Sequence, residues 1–402
     1  MIAYNSIQIC RCVMKEYPLV SLGTLISQAK KVRCGEEDYP VLSMTMHNGL
    51  IFQDKKFKKV IASQDRSNYK VVYRNQLVIS FPIDEGVLAA QRITDAGIVS
   101  PAYGIWDIDQ EKILPEFLEC ALRCERALNY YKSKLRGSTA RRRSLPTSTL
   151  LAFNVPLPSI SEQLNVLAIV HKLKSVIDTR KEEINVLDKL VKARFVEMFE
   201  GGENQWGQKK LVECCNNKND IKCGPFGSQL HVEDYQNVGI PVYGIPEVNS
   251  GFKTNPKLYV SRLKAEELSS YNLIPGDVAV SRKGNVGQAA LFHDELKNGI
   301  IHSDVLRIRL NEQILNPLFL IGELHFSQGI RNQVMQASSG AIMPGTNVTK
   351  LKKIIIDVPP LSMQMKYSTL VQQVEKSKVA IDHGVILIRK ALQSGYHNVW
   401  GN

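Results

Sequence analysis

Residues 156–163 read Pro-Leu-Pro-Ser-Ile-Ser-Glu-Gln, and residues 164–198 continue as LNVLAIVHKLKSVIDTRKEEINVLDKLVKARFVEM. Apolar side chains fall at Val166, Val170, Leu173, Ile177, Ile184, Leu187, Val191, Phe195 and Met198, alternating by three and four with one polar break near Arg180. That spacing lays an apolar stripe along one side of a long α-helix. The prolines stop whatever precedes the helix. Ser161, three positions before Leu164, is the expected N-cap, and Gly201-Gly202 is the expected left-handed stop. A helix of about 35 residues reaches roughly 50 Å, well beyond the average of a globular helix.

The stretch occurs twice. Pro158, Ser161 and Gln163 return 201 positions later as Pro359, Ser362 and Gln364, and Val170 returns as Val371. The second stripe runs Val371, Val374, Ile381, Val385, Ile388 and Leu392, broken by Lys378 and weakened by Gly384. Upstream, Pro40-Val41 matches Pro241-Val242, Gly97-Ile98 matches Gly299-Ile300, and Pro115, Phe117 and Leu118 match Pro317, Phe319 and Leu320, at offsets of 201 or 202. Solenoid repeats are far shorter, about 20 to 50 residues. The chain of 402 residues therefore reads as one globular module plus one long helix, used twice. Two such stripes should zip antiparallel and relate the modules by a pseudo-twofold axis.

A module of roughly 150 residues can bury its own core. In the first, YPVLSM, VVYRNQLVISFP and AGIVSPAYGIWDID carry strand patterns; in the second, GIPVYGI, GDVAVSR and GIIHSDVLRIRL do. Helical spacing follows over 115–135 and 316–336, with proline near each start. The expected class is α+β. Its boundaries are a first module over 1–156, a central helical region over 157–202, a second module over 203–357 and a C-terminal helical region over 358–402. No apolar run is long enough to span a bilayer and the N-terminus lacks a secretory pattern, so the cytoplasm is the expected compartment. The eight cysteines form no paired CxxC knuckles, which favours free thiols over a metal site.

Catalytic signatures are missing from the sequence. It contains no GxxxxGK[ST] phosphate loop, GxGxxG turn, HExxH or GxSxG elbow, and the histidines are scattered. His171 on the long helix and His302, expected in a strand, read as packed or solvent-facing residues rather than bases. Binding is the remaining role, and charge indicates to what. The net charge of +12 is shared, with 29 basic against 22 acidic residues over 1–200 and 22 against 17 beyond. Between Glu125 and Glu162 there is no acid, while Arg126, Lys132, Lys134, Arg136, Arg141, Arg142 and Arg143 occur. Between Glu323 and Asp357 the pattern returns with Arg331, Lys350, Lys352 and Lys353. Such segments, beside small hydroxyl residues and glycine, suit a nucleic-acid backbone. Further candidate readers are Lys55, Lys56, Lys58 and Lys59 around Phe57, and Arg282, Lys283 and Asn285 in the glycine-bounded SRKGNVG turn.

Taken together, PLPSISEQ with its helix, DVPPLSMQ with its helix, GPFGS at 224–228, GDVAVSRKGNVGQAAL at 276–291, and YPVLSM with GIVSPAY resemble the specificity subunits of type I restriction-modification systems, over essentially the whole chain. The resemblance implies two target-recognition domains, each reading half of a bipartite double-stranded DNA target, and two helical regions forming an antiparallel coiled coil. It adds Ser228 of GPFGS to the DNA-binding candidates. It implies no catalytic residue, metal or cofactor in this chain: methylation with S-adenosylmethionine falls to modification subunits, two of them expected, and ATP- and Mg-dependent cleavage to restriction subunits. The sequence departs from the family at Ser159, where a second proline is usual, and at Met363, where glutamate is usual. Two other readings fit the sequence less well: a recognition fragment of a fused restriction-methyltransferase, and a coiled-coil scaffold that does not bind DNA.

Overall fold

The computed structural model describes residues 17–46, 48–55, 66–135, 145–201, 206–284, 286–338 and 348–400, excepting the side chains of 55, 337–338 and 392–400. The chain divides into two compact units, Met1–Arg180 with Asp382–Asn402, and Lys181–Ile381. Each combines small, mostly antiparallel sheets with helices, and the class is α+β.

In the first unit a four-stranded sheet is built from β1 (Ile26–Gln28), β2 (Leu77–Ile79), β3 (Leu88–Ala90) and β4 (Gly104–Ile108), in the order β1-β4-β2-β3. All neighbours are antiparallel. Its strands are short apolar runs, and their inward residues Ile26, Leu77, Leu88 and Trp106 pack on Phe117, Leu118 and Leu122. The first two helices, α1 (Pro115–Arg123) and α2 (Glu125–Lys134), come from the segment expected to be helical. They are separated at Cys124, whose extended ψ of 160° breaks the run. A hairpin of Leu42–Thr45 with Gly49–Phe52, a pair of Lys70–Tyr73 with Ala96–Val99 and a pair of Leu19–Ser21 with Asn154–Pro156 add further strands to the unit.

After the long helix α3 (Ile160–Phe195), the second unit repeats the design. Its strands β5 (Ile221–Cys223), β6 (Val278–Ser281), β7 (Ala289–Leu291) and β8 (Val305–Ile308) lie in the order β5-β8-β6-β7, again antiparallel throughout. The helices α4 (Pro317–Phe326) and α5 (Gln328–Ser338) are separated at Ser327, where ψ is 121°. Here Asn316 caps α4 by accepting from the N–H groups of Leu318 and Phe319. The chain ends in α6 (Leu361–Trp400).

The matched Pro-Val and Gly-Ile pairs acquire a physical cause. Val41 bridges Ile98 and Val242 pairs with Ile300, both in parallel. A Cβ on Gly299 would lie 2.4 Å from the carbonyl oxygen of Pro241, and one on Gly97 would lie 2.8 Å from Leu42 Cδ1. Glycine recurs there because no side chain fits between the strands.

The expected stripe on α3 is the inward one, since Val170, Ile177 and Phe195 are buried and Val166, Leu173, Ile184, Leu187 and Val191 are half-buried. Both expected ends of the helix require correction. Ser159, not Ser161, is the N-cap: its N–H and hydroxyl donate to Glu162 Oε2 at 3.0 and 2.8 Å, and its hydroxyl oxygen accepts from the Glu162 N–H at 3.4 Å. The capping-box spacing of Ser159 to Glu162 outcompetes Ser161. At the other end a π-helical turn, Val196–Glu200, continues the helix, and Gly201 closes it at φ −91°, outside the left-handed region. Gly202 lies outside the described residues.

Within the second unit, the last part of α3 and the first part of α6 run antiparallel. Phe195 meets Tyr367 with ring centroids 5.5 Å apart, and Asp188 pairs with Lys378. Lys378, a break in the sequence stripe, is nearly buried yet remains charged. Its burial opposes the charge, but hydrogen bonds to Asp188 and Glu375 outweigh that and raise its pKa. Phe195 also packs on Phe199, Phe319 and Phe326, joining helix to module.

The repeated glutamines make the other joint. Gln163 Oε1 accepts from the Leu114 N–H at 2.8 Å, while Nε2 donates to the carbonyls of Lys112 and Pro158, both at 2.9 Å. Gln364 Oε1 accepts from the Asn316 N–H at 2.8 Å, and its Nε2 donates to Ile314 and Pro359 at 3.2 and 2.8 Å. Both side chains are fully buried, and all their bonds go to main-chain atoms near the start of α1 or α4 and at a proline just before α3 or α6.

Candidate nucleic-acid interface

At one end of the second unit's four-stranded sheet, three loops converge. Gly224 leaves β5 by donating its N–H to Val305 O at 3.2 Å. A Cβ there would lie 2.2 Å from the carbonyl oxygen of His302, so only glycine allows GPFGS to run against the loop before β8. His302 is in that loop, not in a strand as expected, and its Nδ1 accepts from the Asp304 N–H at 3.2 Å. The third loop is the turn from β6 to β7, with Gly284 and Gly287 at φ +69° and +89°.

These loops hold a preorganised cationic cluster. Arg282 Nη1 donates to Ser303 O at 3.1 Å and approaches Cys223 Sγ at 3.3 Å. Its guanidinium lies 5.4 Å from the ring centroid of Phe226, itself 54% exposed. Lys283 Nζ pairs with Asp304 Oδ1 at 2.8 Å. Ser228 is exposed on the GPFGS loop, and Ser281 Oγ donates to Asn249 Oδ1 at 2.7 Å below the turn. Burial pushes the Cys223 thiol up, against the opposing influence of Arg282, and the thiol donates to Ser303 O at 3.1 Å. Arg282 is thereby fixed from behind, with an exposed aromatic face beside it. An arginine and lysine with small hydroxyls match base edges and phosphates, and the open Phe226 ring suits a thymine methyl or an unstacked base.

Arg331 sits exposed on α5 and lines an open cavity of about 540 Å³ with Val286, Gly287 and Gln288 of the same turn. The floor of that cavity includes His325, whose Nε2 accepts from the Ala289 N–H at 3.0 Å; burial lowers its pKa, in keeping with a neutral imidazole.

Of the expected site residues, Arg282 and Lys283 are adjacent on one turn, Ser228 is exposed on the GPFGS loop and Arg331 is on α5. Lys55 ends a 3₁₀ turn, Gln53–Lys55, and its side chain is not described. Lys56, Lys58, Lys59, Arg141, Arg142, Arg143 and Asn285 lie outside the described residues. Arg126, part of the acid-free stretch, has a structural role instead: it donates to Asn154 O at 2.5 Å and stacks 4.8 Å from the Phe153 centroid. His171, expected to be packed or solvent-facing rather than a base, is exposed and bonds Glu116 Oε1 at 2.8 Å, which ties it to α1. Phe226 was not singled out from the sequence, although an exposed aromatic between glycines in GPFGS was the available signal.

Among the described residues no group of three or more His, Cys, Asp or Glu side chains could hold a metal ion. None of the described helices is long and apolar enough to cross a membrane.

Residues 204–387 match the family described as the type I restriction modification DNA specificity domain. A Methanocaldococcus jannaschii protein assigned as the type I restriction enzyme MjaX specificity subunit is 25% identical over 160 residues, 38% of this chain and 37% of that protein. The match thus spans little more than a third of that relative. A chain from a solved structure concerned with complex assembly and conformational transition of the type I R-M system has a TM-score of 0.62 at 17% identity, covering 96% of this chain and 98% of that one. The type I restriction-modification S subunit from M. genitalium has a TM-score of 0.50 at 13% identity, with 96% of both chains covered. At these identities the structural likeness is one of fold. The chain thus carries a match to the type I restriction modification DNA specificity domain over residues 204–387, and over nearly its whole length it shares the fold of solved type I restriction-modification chains.

Proposed function

We propose that this chain is the sequence-reading, non-catalytic subunit of a cytoplasmic type I restriction-modification complex. Each unit reads one half of a bipartite, asymmetric double-stranded DNA target, and the long helices dock modification subunits, two per complex, with restriction subunits joining them. S-adenosylmethionine, ATP and Mg belong to those partners. The observation that carries the reading is the convergence of Phe226, Arg282 and Lys283 at one end of a sheet inside the matched specificity domain. Arg331 extends the same cationic edge along α5. The assembly described for the solved type I relative supports the choice of partners.

Methylome sequencing of cells with and without the gene tests this directly. A two-part methylated motif should disappear with the gene. Exchanging residues 205–325 for the second module of another specificity subunit should alter only one half of that motif. An unchanged methylome, or a change in both halves, would overturn the reading or its modular form, respectively.

A further inference from the structure

The two units carry their cations on different loops of the same sheet end. In the second unit they lie on the β6–β7 turn, as Arg282 and Lys283. The corresponding β2–β3 turn of the first unit reads Ser80-Phe81-Pro82-Ile83-Asp84-Glu85-Gly86, with two acids and no cation. Its cations are elsewhere. Ala29 leaves β1 by donating its N–H to Ile105 O at 3.1 Å, as Gly224 leaves β5 toward Val305. The loop that follows is Lys30-Lys31-Val32-Arg33-Cys34, with Cys34 buried, Val32 half-buried, and Lys30, Lys31 and Arg33 exposed.

This loop is fixed. Arg33 bridges Lys70, and the N–H groups of Cys34 and Gly35 donate to Tyr69 O at 2.9 Å and Ser67 O at 3.1 Å. Below it Cys34, Val71 and Ile98 form a small core, with Val32 and Tyr69 packed on it. Lys70 Nζ donates to Tyr103 O at 2.6 Å, and Arg33 donates to Asn68 Oδ1 at 3.3 Å. Both partners are neutral. Tyr103 precedes β4 as Asp304 precedes β8, but the acid that neutralises Lys283 has no counterpart there. Among the described residues no ion pair involves Lys30, Lys31, Arg33, Arg66 or Lys70. Burial, with the charge of Lys31 in addition, lowers the pKa of Lys70. The acids Glu36, Glu37 and Asp38 come only after the chain turns at Gly35, φ +60°. A like-charged cluster held against neutral partners is relieved when a polyanion covers it.

We infer that the first unit meets the DNA backbone through Lys30, Lys31, Arg33 and Lys70, a loop site different from the arginine-and-phenylalanine edge used by the second unit. The inference rests on the DNA-binding reading above, and its test separates the two. Binding of the full-length chain to a labelled mixed-sequence duplex is followed by fluorescence anisotropy across a salt titration. Lys30→Ala/Lys31→Ala should reduce the log-log salt slope by about 2, because each lost phosphate contact removes about 0.9. Lys30→Arg/Lys31→Arg should keep the slope. Lys172→Ala/Lys174→Ala, which removes the same charge from exposed positions on α3, should leave it unchanged. Equal slope losses in the two alanine pairs, or an undiminished slope in Lys30→Ala/Lys31→Ala while the wild type binds steeply, overturn the inference and leave the DNA reading standing. A wild-type chain that binds duplex DNA without salt dependence, or not at all, overturns both.

Discussion

The glutamine joints at the entries to α3 and α6 are built alike, bond for bond, while the loop ends of the two four-stranded sheets share topology and little chemistry. At the helix entries one buried glutamine makes the same three main-chain hydrogen bonds in each unit. At the sheet ends, one unit offers Arg282 braced on Ser303 and stacked by Phe226, and the other offers lysines that make no ion pair among the described residues. The difference separates two kinds of constraint. A buried amide that leaves its neighbours unsatisfied when removed tolerates almost no change, whereas exposed loop residues cost little stability to replace. Loops can therefore diverge in what they touch while the joints stay fixed.

Substitution at the joints is the largest expected way to break this comparison. Gln163→Leu and Gln364→Leu should each cost about 3 kcal/mol, since each strands one buried N–H and two carbonyls. Denaturant unfolding of the full chain should give similar losses for both. A substantial loss for one and none for the other would show that the two joints are not equivalent.

A smaller effect should appear only in the second unit. Burial first, then the nearby Asp357 and Glu200, raise the Glu323 pKa from 4.5 to about 8. Its counterpart at the equivalent place in α1 is Ala121, which does not titrate. The unfolded chain releases the Glu323 proton above pH 4.5 and the folded chain keeps it until about 8, so stability falls as pH rises across that window. The loss is on the order of 2 kcal/mol once water entry is allowed for. Thermal melts between those limits should show the decline, and Glu323→Gln should flatten it. A melt as pH-dependent in the variant as in the wild type would remove Glu323 from the account.

The smallest effect concerns the reading edge itself. Phe226→Ala should weaken duplex binding about tenfold, or roughly 1.4 kcal/mol, without changing the salt slope. Arg282→Ala should weaken it and lower the slope by about 0.9. If Phe226→Ala changes the slope instead, the ring serves mainly to hold Arg282 rather than to touch DNA.

Much of the framework was legible because it follows from periodicity. The apolar stripes of α3 and α6 and the Gly-Ile and Pro-Val pairs each repeat at a nearly constant offset, and the structure assigns each a packing reason. The helix ends were less legible, since Ser159 and Ser161 both fit a cap and only the bond to Glu162 decides between them. The paired breaks at Cys124 and Ser327 left no trace in residue type, being set by ψ alone. The first unit's cationic loop was hidden by length. Ile26 and Ile221 are 195 positions apart while the other sheet strands keep offsets of 201 or 202, so Ala29 and Gly224 do not align in sequence. Lys378 looked like a fault in a stripe because its acidic partner Asp188 lies on another helix.

The glutamine joint has a consequence for how such chains change over generations. Every hydrogen bond it makes is to a peptide group, and any sequence supplies peptide groups. A recombination event that brings in a foreign module need preserve only the local backbone path at this fitting, not any particular side chain. The fitting is blind to the text it carries.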